Sequence, residues 1–279
     1  ELNPDGTITH YNTWEDMGQG GDIGSVTHTV KALAPLGIRP DQVHLVMNDS
    51  KTCPDTNLAA ASRSHYMAGN ATLDAAKQLM DAMRKEDGSY RTHAEMVAEG
   101  IPTKYTGHYD QFNIGLDREL DPNTGEGNTK PAYMYGVNLA LVEVDVDTGK
   151  TQVLRFAWVG DVGVVGNMLS VEGQAYGGIS HSIGFALSED YGAEDKHGNM
   201  AGCGIPTIDV IPDDMILVFN ETPRPHGPHG SSGCSEVFQS SNHMAVINAI
   251  SNACGVRVYS LPATPDKVKA GWEAKQRGE

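Results

Sequence analysis

The sequence predicts an α+β fold, with mixed sheets packed against helices, and three observations carry that expectation. Segments of strand-like patterning and segments with apolar residues at helical spacing follow one another in irregular order, unlike the strict alternation of a doubly wound sheet. At 279 residues the chain suffices for one large domain or two modest ones and can bury a sizeable core without covalent staples. Its 32 glycines and 14 prolines follow no period while 39% of residues are hydrophobic, so the chain is loop-rich and globular rather than collagen-like or disordered.

Asn3-Pro4-Asp5-Gly6 is a turn, and Thr7-Ile8-Thr9-His10-Tyr11 is the strand that leaves it. The run Gly18-Gln19-Gly20-Gly21-Asp22-Ile23-Gly24 follows, then Val26, Val30, Leu33 and Leu36 at helical spacing, which makes a strand, glycine turn and helix. Val43-His44-Leu45-Val46-Met47 reads as a buried strand that stops at Asn48-Asp49-Ser50. Met67, Leu73, Ala76, Leu79, Met80 and Met83 line one face of a long helix over 62–85, which Glu86-Asp87-Gly88 terminates. A short helix is expected near 94–98, and the polar stretch 116–130 reads as a surface excursion. Residues 132–146 and 152–158 flank Asp147-Thr148-Gly149-Lys150 as a long hairpin. A glycine-rich helix over 171–187, a strand over 215–219, a helix from about Glu236 to Ala253 and a last helix over 265–275 complete the chain.

With 20 Lys and Arg against 36 Asp and Glu, the net charge of −16 repels nucleic acid and anionic lipid headgroups. No apolar run approaches the ~18 residues of a membrane span, and the first residues lack the order of an export signal. Neither nucleic acid nor membrane is an expected partner. Cys53, Cys203, Cys234 and Cys254 are scattered without a Cys-x-x-Cys pair, so neither a zinc knuckle nor an iron–sulfur cage assembles locally; reduced thiols in a cytoplasmic protein are expected. The chain opens at Glu1, without Met, inside a strand-and-turn pattern, and one piece of a larger enzyme is expected.

Several clusters could carry chemistry. The glycine run at 18–24 lies between a strand and a helix, where backbone N–H groups and the helix dipole favour an anion. It comes near the dinucleotide fingerprint, with Asp49 ending the next strand, but glycines at 18, 20, 21 and 24 miss the spacing by one residue. A nicotinamide site, another cofactor edge and a plain tight turn all stay open. Ser62-Arg63-Ser64-His65 opens the long helix, where hydroxyls can cap and Arg63 can fork onto a phosphate, or stand as a solvated helix-start residue. His226 and His229 suggest a metal loop, yet no carboxylate lies beside them at ligand spacing, and no metal ligand is assigned. Gly230-Ser231-Ser232-Gly233-Cys234-Ser235-Glu236 delivers a carboxylate to a predicted helix start. The dipole would hold Glu236 ionised and burial under a cofactor would raise its pKa, a balance suited to a general base; a helix-capping glutamate is the alternative. The hydrolase pattern G-x-S-x-G fails at Cys234, which itself lacks a local base, and His243 reads as structural.

Five blocks in one order then point further: residues 13–24; Ser62-Arg63 with Thr72; Gly173-Gln174 before Gly177-Gly178; Pro223-Arg224-Pro225 before the Gly233 to Glu236 loop; and Gly255-Val256-Arg257-Val258-Tyr259 with Leu261-Pro262-Ala263. Together they resemble the molybdenum hydroxylases of the xanthine oxidase family, whose bacterial aldehyde oxidoreductase branch looks most similar. The resemblance runs end to end but covers only the C-terminal part of the family's molybdopterin-binding catalytic region. It implies molybdopterin cytosine dinucleotide with molybdenum, to which the protein gives no direct metal ligand. Carried over residue by residue, Gly18, Gln19 and Gly20 border the pterin, and Ser62, Arg63, Ser64 and His65 the pyrophosphate and nucleotide end. Asn167 and Gln174 are further cofactor edges, His181 stands where a family Gln reaches a molybdenum ligand, and Ser232, Gly233, Cys234 and Ser235 form the cofactor-side loop. Glu236 matches the family's base, which accepts the proton of the attacking oxygen nucleophile.

Residues 1–160 are then expected to form a cofactor-binding subdomain and 161–279 a catalytic-loop subdomain. The implied reaction oxidises aldehydes to carboxylic acids; a heteroaromatic hydroxylase subunit of the nicotinate or purine type, or a noncatalytic cofactor-holding subunit, are the alternatives. Three departures stand out: His181 for Gln, Ser235 for the Gly before the glutamate, and the absence of the family's Gly-Gly-Gly-Phe-Gly loop and iron–sulfur modules. Two-iron two-sulfur clusters are therefore expected on an upstream segment or companion chain, in an oligomeric enzyme.

Overall fold

The computed structural model describes residues 1–56, 58–192 and 194–278. The chain forms two compact units that interleave along the sequence: Glu1–Tyr133 with Val162–Ser170 and Glu221–Gly233, and Met134–Asp161 with Val171–Asn220 and Cys234–Glu279. Helices and two small sheets share the chain, which is the expected α+β class.

In the first unit, Asp5 accepts the amide and hydroxyl of Thr7, closing the opening turn. Strand β1 (Ile8–Asn12) pairs in parallel with β2 (Val43–Met47), from Ile8 opposite Val43 to Asn12 opposite Met47. The crossover between them is helix α1 (Gly21–Ala32), as parallel strands require. Helix α2 (Arg63–Met83) buries Tyr66, Ala68, Gly69, Ala76, Leu79 and Met83, close to the face read from the sequence. Leu79 and Met83 join Leu2, Ile8, Leu33, Ala76 and Met96 in one apolar core. Met96 comes from the short helix α3 (His93–Ala98), whose Thr92 and Glu95 cap each other reciprocally. Residues 116–130 carry neither helix nor strand and are mostly exposed, as a surface excursion should be.

The second unit is built on strands β3 (Tyr135–Val144), β4 (Thr151–Asp161) and β5 (Asp214–Asn220). The expected hairpin is the antiparallel β3–β4 pair, and β5 adds to β4 in parallel. Helix α4 (Met168–Leu187), the short α5 (Glu194–His197), α6 (Asn242–Cys254) and α7 (Pro265–Gln276) follow in sequence, α4 belonging to this unit from Val171. Trp158 and Phe156 are fully buried, and the Trp158 ring meets Phe238 edge-on with centroids 4.7 Å apart.

One expected element is corrected. Residues 236–253 are not a single helix: Glu236–Phe238 is one 3-10 turn, and α6 begins only at Asn242. The Phe238 ring, fully buried against Trp158 and Phe219, turns the chain inward. Gln239 and Ser241 then take φ values of −132° and −138°, which no helix continues through.

Candidate cofactor and catalytic site

The glycine run of the first unit already holds an anion, and it belongs to the chain. Asp16 accepts the amides of Gly18 and Gly20 through Oδ1, and of Asp22 through Oδ2 at 2.9 Å. Burial raises the Asp16 pKa, but these amides outweigh it and hold the carboxyl below its ordinary range. The α1 N-terminus is therefore neutralised from within, and Asp16 takes the place of a phosphate. Gln19 is also spent locally: its Nε2 donates to Glu15 O and its Oε1 accepts Met17 N–H. Gly18, at φ +102°, faces open space where a side chain would stand.

At the start of α2, Ala61 and Ser62 both sit in the left-handed region at φ 53°, and the Ser62 hydroxyl makes no cap. Arg63 Nη1 donates to Leu58 O at 2.9 Å, so the guanidinium braces the preceding loop. Arg63 also lines a cavity of about 660 Å³ together with Tyr11, Cys53, Met67, Lys104 and Tyr109. Ser64 is half-buried in the first turn. His65 looks elsewhere, onto Trp14 edge-on at 5.7 Å and onto His28 at 4.5 Å between centroids.

Around these rings the first unit gathers residues far apart in sequence. His28 is 2% exposed, and neither of its ring nitrogens has a hydrogen-bond partner among the described residues. Burial first, then neighbouring His65 and His229, pulls its pKa down to about 2, and burial pulls His65 down to about 4. His229 stacks on His28 at 5.9 Å, and Asn70 Nδ2 donates to His226 O. Among the described residues no three His, Cys, Asp or Glu side chains are arranged to hold an ion. His65 Nε2 lies 2.9 Å from Ser231 Oγ, which donates to Pro228 O at 2.6 Å. Ser232 Oγ is buried with no hydrogen-bond partner among the described residues. Gly233 passes so close to Ser62 that a Cβ there would stand 1.9 Å from the Ser62 carbonyl oxygen. Asn167 Oδ1 accepts the amide of Ser170 at the start of α4.

In the second unit Glu236 is exposed on its 3-10 turn, and it caps no α-helix, since the α6 N-cap is Ser241. The dipole argument for its ionisation therefore loses its helix. The turn is fastened from α4: Ser182 Oγ donates to Gln239 O at 3.1 Å, and His181 Nδ1 lies 2.6 Å from Gln239 Oε1. The other His181 nitrogen faces the buried carboxylate of Glu189 at 3.8 Å. Gln174 is half-buried on α4, and Ser235 is the N-cap of the Glu236 turn. Burial and the Glu236 carboxylate push the Cys234 thiol up to about 12, so it stays protonated at neutral pH and is no thiolate nucleophile.

The structure thus joins Ser62 and His65 with Ser231 and Gly233 in one unit, and Cys234 and Glu236 with the Gln239 turn in the other. Sequence reasoning passed over Ser231, His28 and Gln239. No spacing rule links His65 to Ser231 across 166 residues.

Comparisons with known proteins show the family. The model of the molybdopterin cofactor-binding domain matches residues 1–212. The aldehyde oxidoreductase of Megalodesulfovibrio gigas is 43% identical over 268 residues, 96% of this chain and 29% of that protein. The crystal structure of the aldehyde oxidoreductase from Desulfovibrio desulfuricans superposes with a TM-score of 0.91 at 46% identity, covering 97% of this chain and 29% of that one. More distantly, the gamma subunit of the 6-hydroxypseudooxynicotine dehydrogenase complex of Paenarthrobacter nicotinovorans is 27% identical across 100% of this chain and 38% of its own length. The chain thus spans between 29% and 38% of the length of these relatives.

Proposed function

Because the chain belongs to the molybdopterin cofactor-binding domain family, within the xanthine oxidase family of molybdenum hydroxylases, we propose that it is the C-terminal part of an enzyme oxidising aldehydes to carboxylic acids. The observation that carries the reading is the 43% identity to an aldehyde oxidoreductase across 96% of the chain. A heteroaromatic hydroxylase is the second reading, at 27% identity.

The residues fit a pterin cofactor in kind. Ser232 offers a buried hydroxyl without a partner among the described residues, and Gly18, with nothing within 4 Å of its Cβ position, leaves open space beside its backbone. When bound, molybdopterin with molybdenum supplies the two-electron redox chemistry. Gly18, Gln19 and Gly20 border it through backbone shape, since the Asp16 carboxylate already takes the amides of Gly18 and Gly20. Ser62, Arg63, Ser64, His65, Asn167, Gln174 and His181 are its further edges, and residues 232–235 the loop against it. The Glu236 carboxylate accepts the proton of the attacking oxygen nucleophile; the protonated Cys234 beside it in sequence cannot compete as nucleophile.

Cytosine dinucleotide is the form the reading favours, with two-iron two-sulfur clusters on another segment or a companion subunit. The Paenarthrobacter relative is itself one subunit of a complex, which supports companions. Four unpaired cysteines suit a reducing cytoplasm, and among the described residues no helix is long and apolar enough to cross a membrane.

The test uses the full-length enzyme carrying this chain, as wild type and as Glu236→Gln. Removing a general base costs roughly 10²–10⁴-fold in turnover, so aldehyde oxidation should fall by that order while molybdenum per protein stays at the wild-type level. A wild type without molybdenum refutes the cofactor reading; full turnover in Glu236→Gln at equal occupancy removes Glu236 from the chemistry.

A further inference from the structure

We propose that His65 is a positioning residue for the loop 230–233, acting as a fixed hydrogen-bond donor to Ser231 and so aiming the Ser232 hydroxyl. The assignment of what the loop faces rests on the cofactor reading above; the lock itself rests on geometry within the first unit.

The tautomer follows from the bonds. A serine hydroxyl has one proton, and Ser231 gives it to Pro228 O, which can only accept, at 2.6 Å. At the 2.9 Å contact with His65 the Ser231 oxygen must therefore accept, and His65 Nε2 carries the hydrogen. The ring has little freedom to turn away. Trp14 stands edge-on at 5.7 Å on one side, and His28 at 4.5 Å on another. His28 is itself wedged: a Cβ on Gly69 would come within 2.9 Å of its Nε2 and 2.7 Å of the Pro228 ring.

The loop that receives this bond is fastened at other points of the same unit. Val164 and Arg224 amides both donate to Gly230 O, and Gly163 bridges Ser231. Gly233 abuts the Ser62 carbonyl, so the start of α2 contacts the loop through Gly233 and holds it through His65. Between those two contacts lies Ser232, whose buried hydroxyl finds no partner among the described residues. A buried hydroxyl left bare costs free energy unless something outside these residues meets it. Four residues further along the chain comes Glu236.

The test takes the full-length enzyme as wild type, His65→Leu, Ser231→Ala, the double variant, and His65→Gln, whose amide nitrogen can replace the Nε2 donor. Amide hydrogen exchange at 230–233 reads the lock without any cofactor. Exchange should rise about fivefold in His65→Leu and in Ser231→Ala, the loss expected for one ordinary hydrogen bond, and return to the wild-type rate in His65→Gln. On the molybdenum-loaded enzyme, outer partners of a metal site typically matter 10–100-fold. Each single variant should lose roughly tenfold or more in kcat with an altered Mo(V) resonance signal, and the double variant should lose no more than a single one. Unchanged exchange, or additive losses in the double variant, overturns the lock. Raised exchange with a wild-type signal and kcat overturns its positioning role. Should His65→Leu fail to fold, Ser231→Ala decides both points. A wild type that holds no molybdenum defeats the functional reading and leaves the exchange result standing.

Discussion

Placing an alanine at position 233 measures how tightly the loop is seated on the start of α2. Gly233 has an ordinary φ, so the substitution brings no dihedral strain and its cost is steric alone. The new Cβ would lie 1.9 Å from the Ser62 carbonyl oxygen and 2.7 Å from its carbon, whereas separations below 3.0 Å do not occur. The two backbones must part by about 1 Å. The obstacle is main chain, and Ser62 is held at φ 53° directly before α2, so no side-chain rotation relieves the contact. Overpacking of this kind costs about 1–3 kcal/mol, and a displacement near 1 Å beside a reacting centre costs on the order of 10²-fold in rate. Urea unfolding of the full-length enzyme reads the first figure, and aldehyde turnover normalised to molybdenum content reads the second. Gly233→Ala with the wild-type urea midpoint and turnover would refute the close-approach argument outright.

Two further outcomes are expected. Gly173 of α4 has an ordinary φ and nothing within 4 Å of its Cβ position, so Gly173→Ala should stabilise by about 0.5–1 kcal/mol through helix propensity, and a lowered urea midpoint would contradict this. Acid should destabilise the first unit, because burial holds His10 and His65 down to about 4 and His28 down to about 2. Below their ordinary value of 6.5 the unfolded chain takes up protons that the folded chain refuses. Their contribution is complete above about pH 6.5 and is lost as pH falls toward 4, by about 1.4 kcal/mol per pH unit for each imidazole that stays neutral. Urea midpoints that hold steady between pH 7 and pH 5 would sink the assignment.

Local pattern carried much of the fold. The strand Val43–Met47 occupies the very residues whose apolar run announced it, but it is not the buried strand expected: only Val43 is buried, His44 is exposed and the other three are half-buried. The long helix and the β3–β4 hairpin were legible because periodicity and turn chemistry are local. The segment after Glu236 was not, because apolar spacing cannot tell that Phe238 is drawn into a ring cluster with Trp158 and Phe219 from distant strands. At the site, the glycine run was visible as an anion-binding turn, but the identity of the anion was hidden. Asp16 precedes the run by two residues, and only the folded turn brings its carboxylate onto the amides of Gly18, Gly20 and Asp22.

That internal anion changes how an acidic chain could hold a phosphate-bearing cofactor. With a net charge of −16, long-range attraction is against it, and the amide cluster of the glycine run is already met by Asp16. Arg63 braces the Leu58 carbonyl, while His28 and His65 are kept uncharged by burial. What these parts of the first unit offer instead is neutral and shaped: the bare backbone of Gly18, the unmet hydroxyl of Ser232, and a loop whose path is set by a histidine donor and a glycine contact. Neutral donors on rigid backbone are cheaper to bury than fixed charges and keep their geometry when the ligand leaves. On the proposed reading, the cofactor would be selected by shape and hydrogen bonding, with rigidity supplied by the packing of Trp14, His28 and His65.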